Sequence, residues 1–479
     1  MKKKTNILLL MTDQHRLSAV GAYGETPCKT PTLDKLANEG IRFDKTYTVC
    51  PVCSPARSSI MSGQYPHLTE INCNIEDMGT TKRGLEKSDA LLSERLQEAG
   101  YNLGFTGKWH IGDKLRPNDL GFVGHNFEGH GSGGFKYKEY QDYLKEKGLE
   151  HKVEISEIQG MANGRAGILQ GPIESTVPYF LAENTISMID KFANEEEPFF
   201  IWHNNWGPHS PYFATQEYYD SYKDIDIPKW GNYEWDSLGT IGHHLLKIHP
   251  KQKDLEWDTH WSEWIRCYYA SATMIDDQFA RIIHHLKEKG VYDNTIIIFT
   301  ADHGETLGSH GGLTDKGFHH FEETHRIPLI IRFSDGRKAG TVIDDFASLA
   351  DIYPTICEMA EAEYDKENSH GLSLVPLIND KNADWRESVV TEFNGVNCVP
   401  SQQRTIRWKD YKYGYTPAGK DELYDLEKDP NEMINLIDDE SSHSIGDELR
   451  TRLLKWMKET KDPAAWLFAA NRIPFYENN

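Results

Sequence analysis

Two things are missing from this chain. No stretch is long and apolar enough to span a bilayer. There is also no disulfide framework, because the seven cysteines (Cys28, Cys50, Cys53, Cys73, Cys267, Cys357, Cys398) are odd in number and widely scattered. Positive charge is scarce: 52 Lys and Arg against 74 Asp and Glu give a formal net charge of -22. That balance argues against nucleic acid or an anionic membrane as the main partner. A small anionic substrate stays open, since a local cationic pocket fits inside an acidic protein. The opening "MKKKTNILLLMTDQHR" has the lysines and apolar run of a secretory leader. The run is short, however, and ends in Thr12-Asp13-Gln14-His15 without a small-residue cleavage site. It reads as a buried first strand, and a reduced, cytoplasmic location is the expectation.

What is present is an alternation of strand and helix patterns. Residues 6–11, 101–106, 198–203 and 294–300 are short apolar runs of the kind found in strands buried on both faces. Residues 321–333 add a further strand. Between them, 30–40 and 88–100 read as helices, the first with Thr30 as cap, Pro31 in its first turn and Gly40 at its end. The alternation predicts an α/β fold with a large, mostly parallel central sheet flanked by helices. From about residue 365 the pattern changes to short antiparallel strands, polar turns and a last helix near 445–460. At 479 residues the chain is expected to divide into a catalytic domain, 1–365, and a smaller α+β subdomain, 366–479. The segment 216–262, rich in Trp, Tyr and Asp, has weak periodicity and reads as an irregular insertion. The Trp and Tyr residues of 216–264 suit a sugar-stacking surface or, more simply, a core.

In an open α/β sheet, ligands bind at the carboxyl ends of the strands. Here those ends carry Asp13 and Gln14, Lys108 and His110, His209, and Asp302 and His303. Any one polar pair at a strand end is unremarkable, but four together point to a site. Asp13, Gln14 and Asp302 are hard oxygen donors suited to calcium or magnesium, and His303 adds a nitrogen that leaves room for manganese. Lys108, His110, His209 and Lys316 are donors suited to a tetrahedral oxyanion.

The stretch "CPVCSPARSSIMSG" (50–63) raises a separate question. Ser54 can cap a helix, Pro55 suits its first position and Gly63 can end it. Cys53 then lies beside a helix N-terminus, where an anion is stabilised. A zinc site needs a second ligand pair at suitable spacing, and none is evident. A thioredoxin-like pair needs a small βαβ context, which the chain does not offer.

Cys53-Ser54-Pro55-Ala56-Arg57 resembles the C-x-P-x-R signature of type I sulfatases, in the alkaline-phosphatase-like superfamily. "LLLMTDQHR", "GFTGKWHIG", "WGPHSPY", "TADHGETLGSHG" followed by Lys316, and "DELYDLEKDPNEMINL" resemble the family's other elements, in its order, over most of the chain. The resemblance implies that Cys53 is converted by a maturase to formylglycine and that Asp13, Gln14, Asp302 and His303 hold one divalent cation. Calcium is the first choice for that cation, with manganese or magnesium as alternatives. It further implies that Arg57 orients the aldehyde hydrate and that Lys108 and Lys316 clamp the sulfate. His209 is implied as the general acid for the leaving alcohol and His110 as the base for hemiacetal collapse. Cys50 is then incidental. His310, His67 and Asn72 are nearby polar residues whose simplest reading is ordinary loop chemistry.

The expected activity is hydrolysis of a small sulfated substrate, foremost a sulfated mono- or oligosaccharide. Many family members carry Asp-Asp and Asp-Asn where this chain has Asp13-Gln14 and Asp302-His303. Gln and His there also resemble phosphonate monoester hydrolases and some choline sulfatases, so a phosphonate or phosphodiester hydrolase is the alternative. A non-catalytic protein on a decayed sulfatase fold is disfavoured, because every expected position holds a competent residue. No nucleic-acid or membrane partner is expected, and a homo-oligomer is left open.

Overall fold

A computed structural model describes residues 4–77, 79–87, 90–127, 133–154, 166–234, 256–316, 320–380, 382–396, 399–417 and 419–473 of the chain. Its strands, in chain order, are β1 (Asn6–Asp13), β2 (Ile41–Tyr47), β3 (Asn102–Gly107), β4 (Phe122–Gly124), β5 (Lys152–Glu154), β6 (Ala166–Gln170), β7 (Phe199–Pro208) and β8 (Tyr212–Thr215). They continue with β9 (Thr295–Ala301), β10 (Leu329–Arg332), β11 (Thr341–Ser348), β12 (Ser388–Val396), β13 (Val399–Trp408), β14 (Tyr411–Tyr415) and β15 (Glu422–Asp425).

Eight of them form one sheet in the order β11-β2-β10-β9-β1-β7-β3-β4. Only β10 pairs antiparallel with its neighbours, so the other seven strands share one direction. β1 shows why its sequence is uninterrupted apolar rather than alternating. Ile7, Leu9 and Met11 enter the core on one face, with Ala56, Ile60 and Met61. Leu8 and Leu10 enter the core on the other, with Ile275, Phe279 and Ile282 of the long helix Ser262–Glu288. Helices therefore cover both faces, as a parallel sheet requires. A second sheet, β12-β13-β14-β15, is antiparallel and packs on the helices His443–Glu459 and Ala465–Arg472. A third, β5-β6-β8, lies outside the main sheet.

Several local readings change. The segment 321–333 is not one strand: Glu322–His325 is a helical turn, and β10 starts only after Pro328, which has no N–H to give a ladder. Residues 88–100 narrow to the helix Leu92–Glu98. The signature helix is Cys53–Ser62, with Val52 rather than Ser54 at its cap and Gly63 closing it at φ 70°. Ser54 instead accepts a hydrogen bond from the Ile75 N–H at 3.3 Å. Thr30 precedes the helix Pro31–Glu39 without capping it; the buried Asp276 carboxylate accepts from the Thr32 and Leu33 N–H groups at 2.8 and 2.9 Å. In the aromatic segment, Trp257, Trp261 and Trp264 are core residues. Residues 235–255 lie outside the described set.

Gly107 links this scaffold to the site. It ends β3 at φ +94°, and a Cβ there would fall 1.6 Å from the Asn204 carbonyl oxygen of β7. Gly107→Ala is expected to cost about 3 kcal/mol or more, since neither backbone can give way cheaply. Gly100→Ala, with φ +83° but open space around it, is expected to cost only about 1 kcal/mol. Urea midpoints followed by tryptophan fluorescence check the contrast.

Candidate active site

The shared direction of seven strands gathers their carboxyl ends on one edge of the sheet. β1 ends in Asp13 with Gln14 after it, β3 is followed by Lys108, β7 by His209, and β9 by Asp302 and His303. The signature helix starts at Cys53 on the same edge, after β2. All of these except His209 are essentially fully buried.

Arg57, one turn into the signature helix, ties the edge together. Its Nε and Nη2 donate to Asp302 Oδ2 and Asp13 Oδ2, each at 2.9 Å. Its Nη1 donates to the Lys108 carbonyl at 2.9 Å and to Asn204 Oδ1 at 3.1 Å. Lys108 Nζ reaches Asp13 Oδ2 at 2.6 Å. Asp302 Oδ1 accepts from the backbone N–H groups of Gln14 and His303 at 3.0 and 2.9 Å. Burial and Asp13 raise the Asp302 pKa. Burial pushes Asp13 up as well, but Lys108, His209, Arg57 and His303 overcome it and hold that carboxyl well below the usual range.

Cys53 Sγ sits 3.2 Å from His303 Nε2, 3.3 Å from Lys316 Nζ and 3.8 Å from Asp13 Oδ1. Burial and Asp13 push its thiol up; Lys108, Lys316 and His303 outweigh them and hold it well below the ordinary thiol value. Cys50 has no such company, and burial pushes it far up. Lys316 Nζ also meets His209 Nε2 at 3.1 Å and Gln14 Oε1 at 3.2 Å. Burial and Lys316 together lower His209 to about 4.

Ligand atoms of Asp13, Cys53, Asp302 and His303 all lie within 4.8 Å of one another. Two carboxylates and an imidazole converging on one buried point fit a hard divalent cation. Against burial, Asp302 and the thiol raise His303 to about 9; a cation would take the lone pair this proton occupies. Gln14 stands at φ 59° with its amide nitrogen on Glu305, an acceptor-only carboxylate, so its oxygen is the atom left facing Lys316.

Of the residues singled out from sequence, Asp13, Cys53, Arg57, Lys108, Asp302, His303, Lys316, Gln14 and His209 form one connected cluster. His110, at φ 56°, is held differently: its Nε2 bonds Glu76 at 2.8 Å and its Nδ1 is buried without a partner. Glu76 was not anticipated. Burial works against its ionisation, but His110 brings its pKa down to about 2. Asn204 and Glu305, both fully buried, were also missed. They lie beside recognisable residues, but nothing in their local sequence separates them from ordinary polar ones. His67 is tied to the C-terminal sheet through Glu392 and the Thr460 carbonyl, Asn72 bonds Thr81, and His310 stacks on Phe321 and bonds Asn232 and Glu323.

A sequence profile described as "Sulfatase" matches residues 5–362, and one described as "N-sulphoglucosamine sulphohydrolase, C-terminal" matches 308–459. The chain is 30% identical over 477 residues to an arylsulfatase of Clostridium perfringens, covering 94% of both. It is 26% identical to an N-acetylglucosamine-6-O-sulfatase of Bacteroides thetaiotaomicron, over 96% of this chain and 87% of that one. Its fold matches the phosphonate monoester hydrolase of Agrobacterium radiobacter with a TM-score of 0.79 at 23% identity, over 95% and 96% of the two chains.

Arg57→Ala would leave Asp13 and Asp302 as neighbouring buried carboxylates. In EDTA the variant is expected to lose about 3–5 kcal/mol of stability. The Asp302 carboxyl, already raised in the folded state, would rise further. A group raised on folding stabilises below its unfolded pKa and loses that contribution as pH climbs through its folded pKa. The deficit should therefore be larger at pH 8 than at pH 5 in urea melts; a pH-independent deficit would contradict the arrangement.

Proposed function

The chain belongs to the sulfatase family, and we propose that it releases sulfate from a small sulfated sugar, using a formylglycine made from Cys53 by a maturase. The observation that carries this reading is the position of Cys53 Sγ, within 3.3 Å of both Lys316 Nζ and His303 Nε2 at the mouth of a helix. In this reading Sγ marks where the oxygens of the aldehyde hydrate sit. Asp13, Gln14, Asp302 and His303 hold the cation, calcium by their predominance of oxygen donors. The cation supplies Lewis acidity that makes a hydrate hydroxyl easier to ionise.

One hydrate hydroxyl attacks sulfur, and the bond from sulfur to the leaving oxygen breaks. Lys108 and Lys316 hold the sulfate oxygens, and Arg57 keeps the nucleophile and both carboxylates in register. His209 gives its proton to the departing alkoxide. Burial and Lys316 hold it neutral, and the negative charge of a bound sulfate favours its protonation. The second hydroxyl then loses its proton to His110, the bond to sulfate breaks, and the aldehyde returns. The ionised Glu76 on Nε2 supports this role, because it fixes the proton there and leaves Nδ1 as the basic nitrogen.

The similarity to a sugar sulfatase at 26% identity favours a carbohydrate ester. The Gln14 and His303 pair keeps a phosphonate or phosphodiester hydrolase, or a choline-type sulfatase, as the second reading. We also assign 1–365 to the catalytic domain and 366–479 to the C-terminal subdomain, whose sheet has a hydrophobic cluster of its own.

Two measurements test the proposal. Matured enzyme should turn over nitrophenyl sulfate with a higher kcat/KM than nitrophenyl phenylphosphonate; the reverse order selects the phosphonate or phosphodiester hydrolase. His209→Ala should cost a sugar sulfate about 100- to 10,000-fold, but nitrophenyl sulfate far less, because nitrophenolate leaves without a proton. His110→Ala should give a burst followed by slow turnover with either substrate. Equal losses in His209→Ala together with no burst in His110→Ala would show the two roles to be misassigned.

A further inference from the structure

Glu305 follows His303 by two residues and is fully buried. Five donors converge on its carboxylate. Oε1 accepts from the Leu307 N–H at 3.0 Å, the Thr306 hydroxyl at 3.3 Å and the Asp315 N–H. Oε2 accepts from the Tyr212 hydroxyl at 3.0 Å and from the Gln14 amide nitrogen.

Three of these partners share an uncommon backbone. Gln14, Leu307 and Asp315 stand at φ 59°, 44° and 73°, in the left-handed region, and none is glycine. A side chain disfavours that conformation, which persists only where the surroundings over-determine it. The Glu305 carboxylate is the partner common to all three.

These residues border the groups that bind. Asp315 directly precedes Lys316, and with Leu307 it forms the neck of the loop 307–315. Thr306 closes the same neck, its hydroxyl donating to the Asp315 carbonyl at 2.9 Å. Lys316 Nζ then reaches His209 Nε2 at 3.1 Å, Gln14 Oε1 at 3.2 Å and Cys53 Sγ at 3.3 Å. Tyr212 opens β8, three residues after His209.

Gln14 is fixed at its backbone as well. Its N–H donates to Asp302 Oδ1 at 3.0 Å, and its carbonyl accepts from the Tyr268 hydroxyl at 2.9 Å. Tyr268 meets Tyr212 edge-on, with ring centroids 5.2 Å apart. Contacts thus close a ring from Glu305 through Gln14, Tyr268 and Tyr212. What remains open to Gln14 is which end of its amide faces Lys316. The two ends are not equivalent: an oxygen receives an ammonium or a cation, and an amide nitrogen repels both. Glu305 decides the matter, because a carboxylate accepts and does not donate.

We propose that Glu305 is a positioning residue for this site: it fixes the Gln14 amide with its oxygen toward Lys316 and holds the Lys316 loop at its neck, so that cation and anion binding share one anchor. The assignment rests on the proposed function in one respect, that the Gln14 oxygen is a cation donor.

The test exchanges the two side chains. Glu305→Gln keeps the shape but puts a donor nitrogen where only acceptors stood. Its oxygen stays with the Leu307 and Asp315 N–H groups, so its nitrogen faces Gln14, whose amide must turn and aim its own nitrogen at Lys316 and the cation. Gln14→Glu alone sets two carboxylates against each other. The double variant again places one donor against one acceptor and keeps an oxygen toward Lys316. Calorimetry with calcium chloride on the full chain should show Glu305→Gln binding about 10- to 100-fold weaker than the unmutated protein, and the double variant recovering at least about tenfold. That recovery is the readout a merely structural role would not give. Thermal melts in EDTA should place the double variant above either single one, because each change relieves the mismatch made by the other. If Glu305→Gln alone does not fold, a folded double variant counts as the same recovery, and an unfolded one overturns the proposal. Calcium binding unaltered by Glu305→Gln overturns it too, as does a loss that Gln14→Glu fails to relieve or additive losses in the melts. No calcium binding by the unmutated chain, with the melts still non-additive, would support the Glu305 assignment while overturning the cation reading of the site.

Discussion

A guanidinium fully withdrawn from water must be surrounded by acceptors, and Arg57 is. Four hydrogen bonds from its Nε, Nη1 and Nη2 reach two carboxylates, a backbone carbonyl and a side-chain amide, drawn from β1, β7 and the residues that follow β9 and β3. Removing any one partner would leave a buried charge or donor uncompensated. The strand order of the main sheet is what makes this arrangement possible. β9, β1, β7 and β3 are consecutive neighbours running in one direction, so their ends arrive within the span of a single side chain.

The same constraint sets the electrostatics at residue 53. Burial and Asp13 push the residue-53 thiol up, but the positive field of Lys108, Lys316 and His303 outweighs them. That field stabilises an anion there, whether thiolate, hydrate oxygen or sulfate. The contrast with Cys50 is instructive. It lies three residues away and is equally buried, yet its thiol is pushed up, because burial and the Glu392 carboxylate outweigh Arg404 there. The acidic chain as a whole thus coexists with an interior edge built for anions.

Much of this was legible in the sequence. Apolar runs with no alternation marked the central strands, and the polar residues just beyond them marked the site, because parallel sheets place strand ends together. The C-x-P-x-R stretch and its companions placed the chain among sulfatases. What escaped had physical reasons. Glu305 and Asn204 act through long-range hydrogen bonds, to Gln14 and Arg57, that no local pattern encodes. Glu76 reaches His110 from a turn with no periodicity. β10 begins only after Pro328, which cannot donate to the ladder, and Ser54 accepts from the distant Ile75 N–H instead of capping the signature helix. The 216–264 segment is rich in aromatics, but its indoles at 257, 261 and 264 are core and Trp230 packs half-buried against that core.

The central claim is that residue 53, matured to an aldehyde and set in the cationic edge, is the nucleophile. The most direct measurement is peptide mass spectrometry of residues 50–63, run in parallel with aryl sulfate turnover on one series of preparations made with increasing amounts of maturase. The account predicts that specific activity rises in proportion to the formylglycine fraction at Cys53, with Cys50 unmodified throughout. Full activity in a preparation whose Cys53 is wholly unmodified thiol would contradict it.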